Sequence, residues 1–161
     1  MADILEHQFL TMTLAGERYA IPVSRVREVL EPTRITKLPC AAAFLKGLID
    51  IRGHGVPVVD LRLRFGMGET VIGGDTAIVV VEAARHSGMD LVGLLTDAVH
   101  EVVELSTENL EAAPGFGSGL SGEYLDGIGR QDDSFVFVMN LERILDEREV
   151  GLDAADPVAS A

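Results

Sequence analysis

The sequence predicts an all-β fold, and three observations carry that prediction. Apolar residues recur in about nine short runs bounded by Gly, Pro, Asn and Asp clusters. Apolar content is 47% although aromatics make up only 5% and Trp is absent, so Val, Ile and Leu must fill the core, and these favour strands. Helical periodicity is confined to three short stretches. A chain of 161 residues is one domain by prior and buries roughly 70% of its unfolded surface.

Taken in order, Gln8 to Leu14 alternates, with Leu10, Met12 and Leu14 on one face and Phe9, Thr11 and Thr13 on the other, which predicts a half-buried strand. Ala15-Gly16-Glu17 turns the chain into a second strand, Arg18 to Val23. Ser24 is placed to cap a short helix whose stripe is Val26, Val29 and Leu30, and Pro32 ends it. Ile35 to Leu38 reads as a short strand stopped by Pro39. Beyond a Gly-rich linker, Met67 to Asp75, come apolar strands at Thr76 to Glu82, Leu91 to Thr96 and Ala98 to Leu105. Ser106 to Gly122 is a long Gly/Pro/Ser loop. Glu123 to Gly129 and Phe135 to Met139 form a hairpin, and Asn140 caps a helix with Leu141, Ile144 and Leu145 on one face. The tail from Gly151 is small, acidic and expected to be disordered. This pattern divides the strands five and four around the Gly-rich linker, and by itself leaves one sandwich or two barrels open.

The centre of the chain is Phe44 to Gly66, FLKGLIDIRGHGVPVVDLRLRFG. Leu48 to Ile51 and Val56 to Val59 are two apolar strands around a Gly53-His54-Gly55 turn, a strong local hairpin signal. Pro57 sits at a strand start, where a missing N–H is tolerated. Asp60 is placed to cap a last turn through Phe65, although the alternation of Leu61, Leu63 and Phe65 is also compatible with strand. Arg52 stands at the tip of this apolar hairpin with Asp50 two residues earlier on the same face, so a solvated Arg52–Asp50 pair is the simplest expectation.

Charge narrows the function. A net charge of −13 argues against nucleic acid and anionic lipid as partners. Residues 1–96 hold 11 acidic and 10 basic side chains, whereas residues 97–161 hold 15 acidic and 3 basic, an asymmetry that fits two faces made for two partners. No apolar run reaches the roughly 18 residues needed to span a bilayer. MADILEHQ lacks the basic start and apolar core of a signal peptide, and a single Cys40 suits a reducing compartment, so a cytoplasmic location is expected. His7, His54, His86 and His100 are scattered, without metal-ligand spacing, and no GxSxG, P-loop, GxGxxG or HExxH is present. Gly115 to Gly119 lacks the Lys and the strand–loop–helix context of a phosphate cradle. No cofactor or metal is therefore expected. An enzymatic or ligand-binding barrel would have to draw on Asp60, His54 and Cys40.

GLIDIRGHGVPVVDLRLRFG resembles the hGhhNhRGxhhPhhDLRxxFG hairpin of the CheW family (h, apolar), the adaptors of bacterial chemosensory arrays, with Asp50 in place of the usual Asn. The same stretch occurs in CheV adaptors and in the regulatory domain of the array's histidine kinase. The resemblance covers roughly residues 8–148. It implies a single domain over 1–150 made of two SH3-like five-stranded β-barrels sharing an apolar core. The first barrel would cover about 15–66 and the second about 75–140, with a closing helix at 141–149 and the tail at 151–161. It also implies a non-enzymatic adaptor, recruited to membrane-associated arrays, that couples the cytoplasmic tip of a methyl-accepting chemoreceptor to the regulatory domain of a CheA-type histidine kinase. Matched motif by motif, the receptor groove would include Leu10, Val23, Val26 and Val99, with Glu28, Gly47 and Arg52 nearby. The kinase surface would lie around Thr76 to Val81 and the Arg85 loop. A CheV-like protein or a kinase regulatory domain is the neighbouring alternative.

Overall fold

Ten β-strands dominate the chain in the computed structural model, which describes residues 7–39, 41–85, 88–106, 110–112 and 124–146. They are β1 (Gln8–Leu14), β2 (Glu17–Pro22), β3 (Val26–Leu30), β4 (Leu45–Ile51), β5 (His54–Asp60), β6 (Ala77–Arg85), β7 (Gly88–Thr96), β8 (Ala98–Glu104), β9 (Leu125–Gln131) and β10 (Ser134–Met139). Two four-residue helices follow hairpins, α1 (Leu61–Arg64) after β5 and α2 (Leu141–Ile144) after β10. The strands form two five-stranded sheets: a terminal sheet in the order β8-β1-β2-β10-β9 and a central sheet in the order β3-β6-β7-β5-β4.

The sheets do not divide the chain at the Gly-rich linker. Met67–Asp75 connects β5 to β6, two members of the central sheet, while β1 and β2 join β8–β10 in the terminal one. The reason is a parallel pairing in each sheet that no local pattern announces: β5 beside β7, with Val58 opposite Gly93, and β10 beside β2, with Phe137 opposite Tyr19.

The helix expected from Ser24 is replaced by a 3-10 turn, Val23–Arg25, running directly into β3. Its N-cap is Pro22 and no side chain caps it. Half-buried Val26, Glu28 and Leu30 alternate with exposed Arg27 and Val29, a period of two, and β3 pairs with β6 through Val29 opposite Val79 and Leu30 opposite Ile78. Three β-branched or branched side chains at helical spacing are equally at home on a pleated edge. The strand expected at Ile35–Leu38 reduces to one bridge, Thr36 to Leu48. Cys40, the Gly115–Gly119 motif, most of the 106–122 loop and the 151–161 tail lie outside the described residues.

Each strand with a continuous apolar run is buried on both faces, which explains the run. On β6, Val79 and Val81 join a core shared by both sheets, whereas Ile78 and Val80 point into the central sheet's own interior with Ile49, Val58 and Leu95. On β1, Leu10, Met12 and Leu14 enter the shared core while Phe9 packs with Val103, Leu105 and Val136 inside the terminal sheet. The shared core is closed by Leu141, Ile144 and Leu145 of the α2 segment and by a ring stack, Tyr19 against Phe65 (6.0 Å) and Phe137 (5.3 Å). Burial, and then the nearby Glu17 carboxylate, push the Tyr19 hydroxyl up to about 12.

Polar links also join the two sheets. Asp97 Oδ2 accepts the backbone N–H of Ala15 at 2.8 Å and lies 3.4 Å from Arg62 Nη1 of α1. Arg64 donates from Nε to the Ile144 carbonyl (2.9 Å), with its guanidinium 4.7 Å from both the Phe44 and the Tyr124 ring centroids. Asp60, fully buried, accepts from the N–H groups of Arg62 and Leu63 and so caps α1; Thr70 donates its N–H (3.0 Å) and hydroxyl (2.7 Å) to the same carboxylate.

Candidate partner-binding site

The β4–β5 turn is two residues long, Arg52 at φ 51° and Gly53 at φ 85°. That left-handed pair matches the strand twist, but a non-Gly residue at its first position is strained by roughly 1 kcal/mol. Asp50 Oδ1 accepts the Gly53 N–H at 2.8 Å and pins the turn. Asp50 is therefore a turn residue rather than the partner of Arg52. The guanidinium instead reaches Glu28 on β3 as a fork, Nη1 to Oε2 at 3.0 Å and Nη2 to Oε1 at 3.4 Å. Because β3 and β4 are the two edges of the central sheet, this pair spans the seam between them. Arg52 keeps 75% of its side chain exposed against 27% for Glu28, so the cation faces outward and its anion is the anchored member.

The apolar candidates divide by burial. Leu10 is core. Val26 and Val99 are half-buried and both pack against the shared core that contains Leu10; β1 pairs with β8 and lies against the 3-10 turn that leads into β3. Val23 is half-buried in the 3-10 turn. Gly47 does not hold space for a partner: its φ is 145° and a Cβ there would lie 2.0 Å from the Thr36 carbonyl oxygen, so the close approach is made by the chain's own backbone. Two exposed apolar residues on edge strands escape sequence reasoning. Val102 on β8, opposite Leu10, and Val29 on β3 expose 47% and 45% of their surface on the edge strands of the two sheets. The period-two alternation around Val102 is a signal for it, but the Val29 signal was absorbed by the helical reading of that stretch.

The span Thr76 to Val81 offers no surface, since β6 lies between β3 and β7 and every one of these residues is buried. Of the residues an enzymatic barrel would draw on, Cys40 lies outside the described residues, Asp60 is buried with both carboxylate oxygens bonded to backbone and Thr70, and His54 is exposed beyond the turn. A cleft of about 420 Å³ is lined by His54, Gly55, Val56, Pro57, Met89, Asp90 and Leu91 and does not include Asp60. Among the described residues no three His, Cys, Asp or Glu side chains gather as a metal-binding group, and no helix is long and apolar enough to cross a membrane.

Further ion pairs lie on these edge strands. Arg27 bonds Glu82 at 2.6 Å beside β3, and Arg18 bonds Glu101 at 2.8 Å beside β8. The Arg18 hydrogen bond holds the Glu101 carboxyl below its usual range. Lys46 does the same to Glu69.

The CheW-like domain family pattern matches residues 8–149. The chemotaxis protein CheW of Klebsiella aerogenes is 30% identical over 150 residues, covering 93% of this chain and 88% of that protein. CheW of Treponema pallidum is 26% identical over 151 residues, covering 90% and 85%. The crystal structure of scaffolding protein TtCheW from Thermoanaerobacter tengcongensis superposes with a TM-score of 0.77 at 30% identity, covering 88% of this chain and 93% of that one.

Proposed function

The chain belongs to the CheW-like domain family, and from that premise we propose that it is a non-enzymatic chemosensory scaffold. In this reading it holds a chemoreceptor's cytoplasmic helical tip against the regulatory domain of a CheA-type histidine kinase, in the cytoplasm at a membrane-associated array. The observation that carries the reading is the Arg52–Glu28 fork on the two edge strands of the central sheet: a half-buried glutamate presents an outward arginine, two residues along β3 from half-buried Val26. An apolar strip flanked by a rigid fork of donors suits an amphipathic helix with acidic groups or exposed end carbonyls. The groove reading covers Val23, Val26, Glu28, Arg52 and Val99; Leu10 supports it from beneath, and Gly47 sets the path of β4.

The test is Arg52→Ala. Exposed ion pairs are worth about 0–1 kcal/mol, so the melting temperature should stay within a few degrees. An interface arginine truncated in a desolvated contact costs about 2 kcal/mol, so affinity for a receptor tip should fall roughly 30-fold with kinase-domain affinity unchanged. A variant that loses the kinase domain as badly as the receptor overturns the separation of the two surfaces.

A further inference from the structure

We propose that the Arg25–Glu142 ion pair is the positioning element of the receptor site, fixing the 3-10 turn and the start of β3 from the opposite sheet without touching the partner. The inference rests on the groove reading above and adds to it a residue, Glu142, that lies outside the groove.

Arg25 ends the 3-10 turn, between Val23 and Val26. Its guanidinium donates from Nε (3.0 Å) and Nη2 to the Glu82 carbonyl of β6, and from Nη1 (2.6 Å) and Nη2 (3.1 Å) to the two carboxylate oxygens of Glu142. The carbonyl is part of a central strand and Glu142 is on α2, so one side chain ties the turn to both sheets. Arg25 is 20% exposed, low for an arginine, while Glu142 is 57% exposed and accessible to substitution without disturbing the core.

The turn needs such a tie. None of its three residues is buried, and its N-cap Pro22 makes no side-chain cap bond. The anchor, by contrast, is rigid: Leu141 and Ile144 are buried in the shared core on either side of Glu142, and Asn140 caps α2 through the Arg143 N–H. Arg62 and Arg64 also link the two sheets, but they start from α1 and reach Asp97 and Ile144. Arg25 alone among these three starts within the segment that carries Val23 and Val26. Releasing it leaves the core packed and lets the turn leave the binding-competent position, which lowers affinity by the fraction of competent molecules.

Glu142→Ala in the full chain tests this in two ways. Amide hydrogen exchange, measured without any partner, should accelerate about tenfold over Val23–Arg27 while Val79–Val81 keep their protection. Affinity for a receptor-tip peptide hairpin should fall about fivefold, with Glu142→Gln, which retains an acceptor, falling less. Unchanged exchange at Val23–Arg27, or unchanged tip affinity where Arg52→Ala loses it, overturns the proposal. If the unsubstituted chain does not bind the tip at all, the groove reading fails instead, and the exchange experiment still decides whether Glu142 holds the turn.

Discussion

The segments β4–β5–α1 and β9–β10–α2 are two versions of one device. Each is a hairpin with a two-residue left-handed turn, Arg52-Gly53 in one and Asp132-Asp133 (φ 47° and 67°) in the other. Each second strand lies parallel to a strand from elsewhere and leads into a four-residue helix capped by Asp60, its last residue, or Asn140, the residue after it. Each first strand is a sheet edge blunted by one bridge from a preceding segment, Thr36–Leu48 or Glu111–Ile128, beside a glycine, Gly47 or Gly127. What the two share is what the architecture requires. The differences show where each copy has been tuned: one turn carries an arginine that reaches a glutamate across the sheet seam, the other two carboxylates.

The sharpest way to break this equivalence is at the glycines. Gly47→Ala combines a positive φ with a 2.0 Å approach to backbone and should cost about 4 kcal/mol or more. At Gly127 the nearest atoms, Glu111 O and Leu110 Cβ, are at 2.9 Å and φ is not positive, so Gly127→Ala should cost only about 1–2 kcal/mol. Denaturant titration of both variants decides, and equal costs would mean that the edge plugs are not ranked as their geometry says. The caps come next. Asp60→Ala leaves the Thr70 N–H and hydroxyl and two helix N–H groups unpaired in a buried place, an expected loss of about 3 kcal/mol. Asn140→Ala removes one cap bond and the side-chain bond to Asp126 at a half-exposed site, about 1 kcal/mol. A thermal melt that reverses this order would refute the role given to Asp60. The smallest effect is at the turns. Asp133→Gly relieves a left-handed residue with no compensating partner described and should stabilise by about 0.5–1 kcal/mol. A destabilised Asp133→Gly protein would show that the second acidic turn is held by more than its backbone.

The β4–β5 hairpin was legible because a two-strand apolar pattern around Gly is local, and its cap Asp60 because helix starts need an acceptor there. The all-β class followed from composition. What was hidden is non-local. Nothing in Val58 or Phe137 says that Gly93 or Tyr19 will lie beside it, so the membership of each sheet could not be read from strand order. The 3-10 turn and β3 read as helix because an edge strand is only half-buried and Val26 and Leu30 share a face at either period, whereas Val29 fits only the helical one. At the site, the residue types were legible and their partners were not: Glu28 and Arg52 were both singled out, but their contact depends on β3 and β4 meeting across the seam. Thr76 to Val81 shows the opposite error, where strand ends look accessible until the neighbours on either side are known.

The central sheet is one uninterrupted stretch of chain, whereas the terminal sheet needs β1 and β2 from one end and β8–β10 from the other. During translation, then, β1 and β2 leave the ribosome before the central sheet, and their partners β8 and β10 only after it. Leu10, Met12, Leu14 and Ile21 must wait as a sticky nascent ribbon until β8 to β10 arrive. Refolding of the full chain should repeat that schedule, with pulse-labelled amides in β4–β7 protected before those in β1 and β2; simultaneous protection would mean the two ends find each other first. Where β1 meets β8, the terminal sheet is therefore completed only after the whole central sheet has been made.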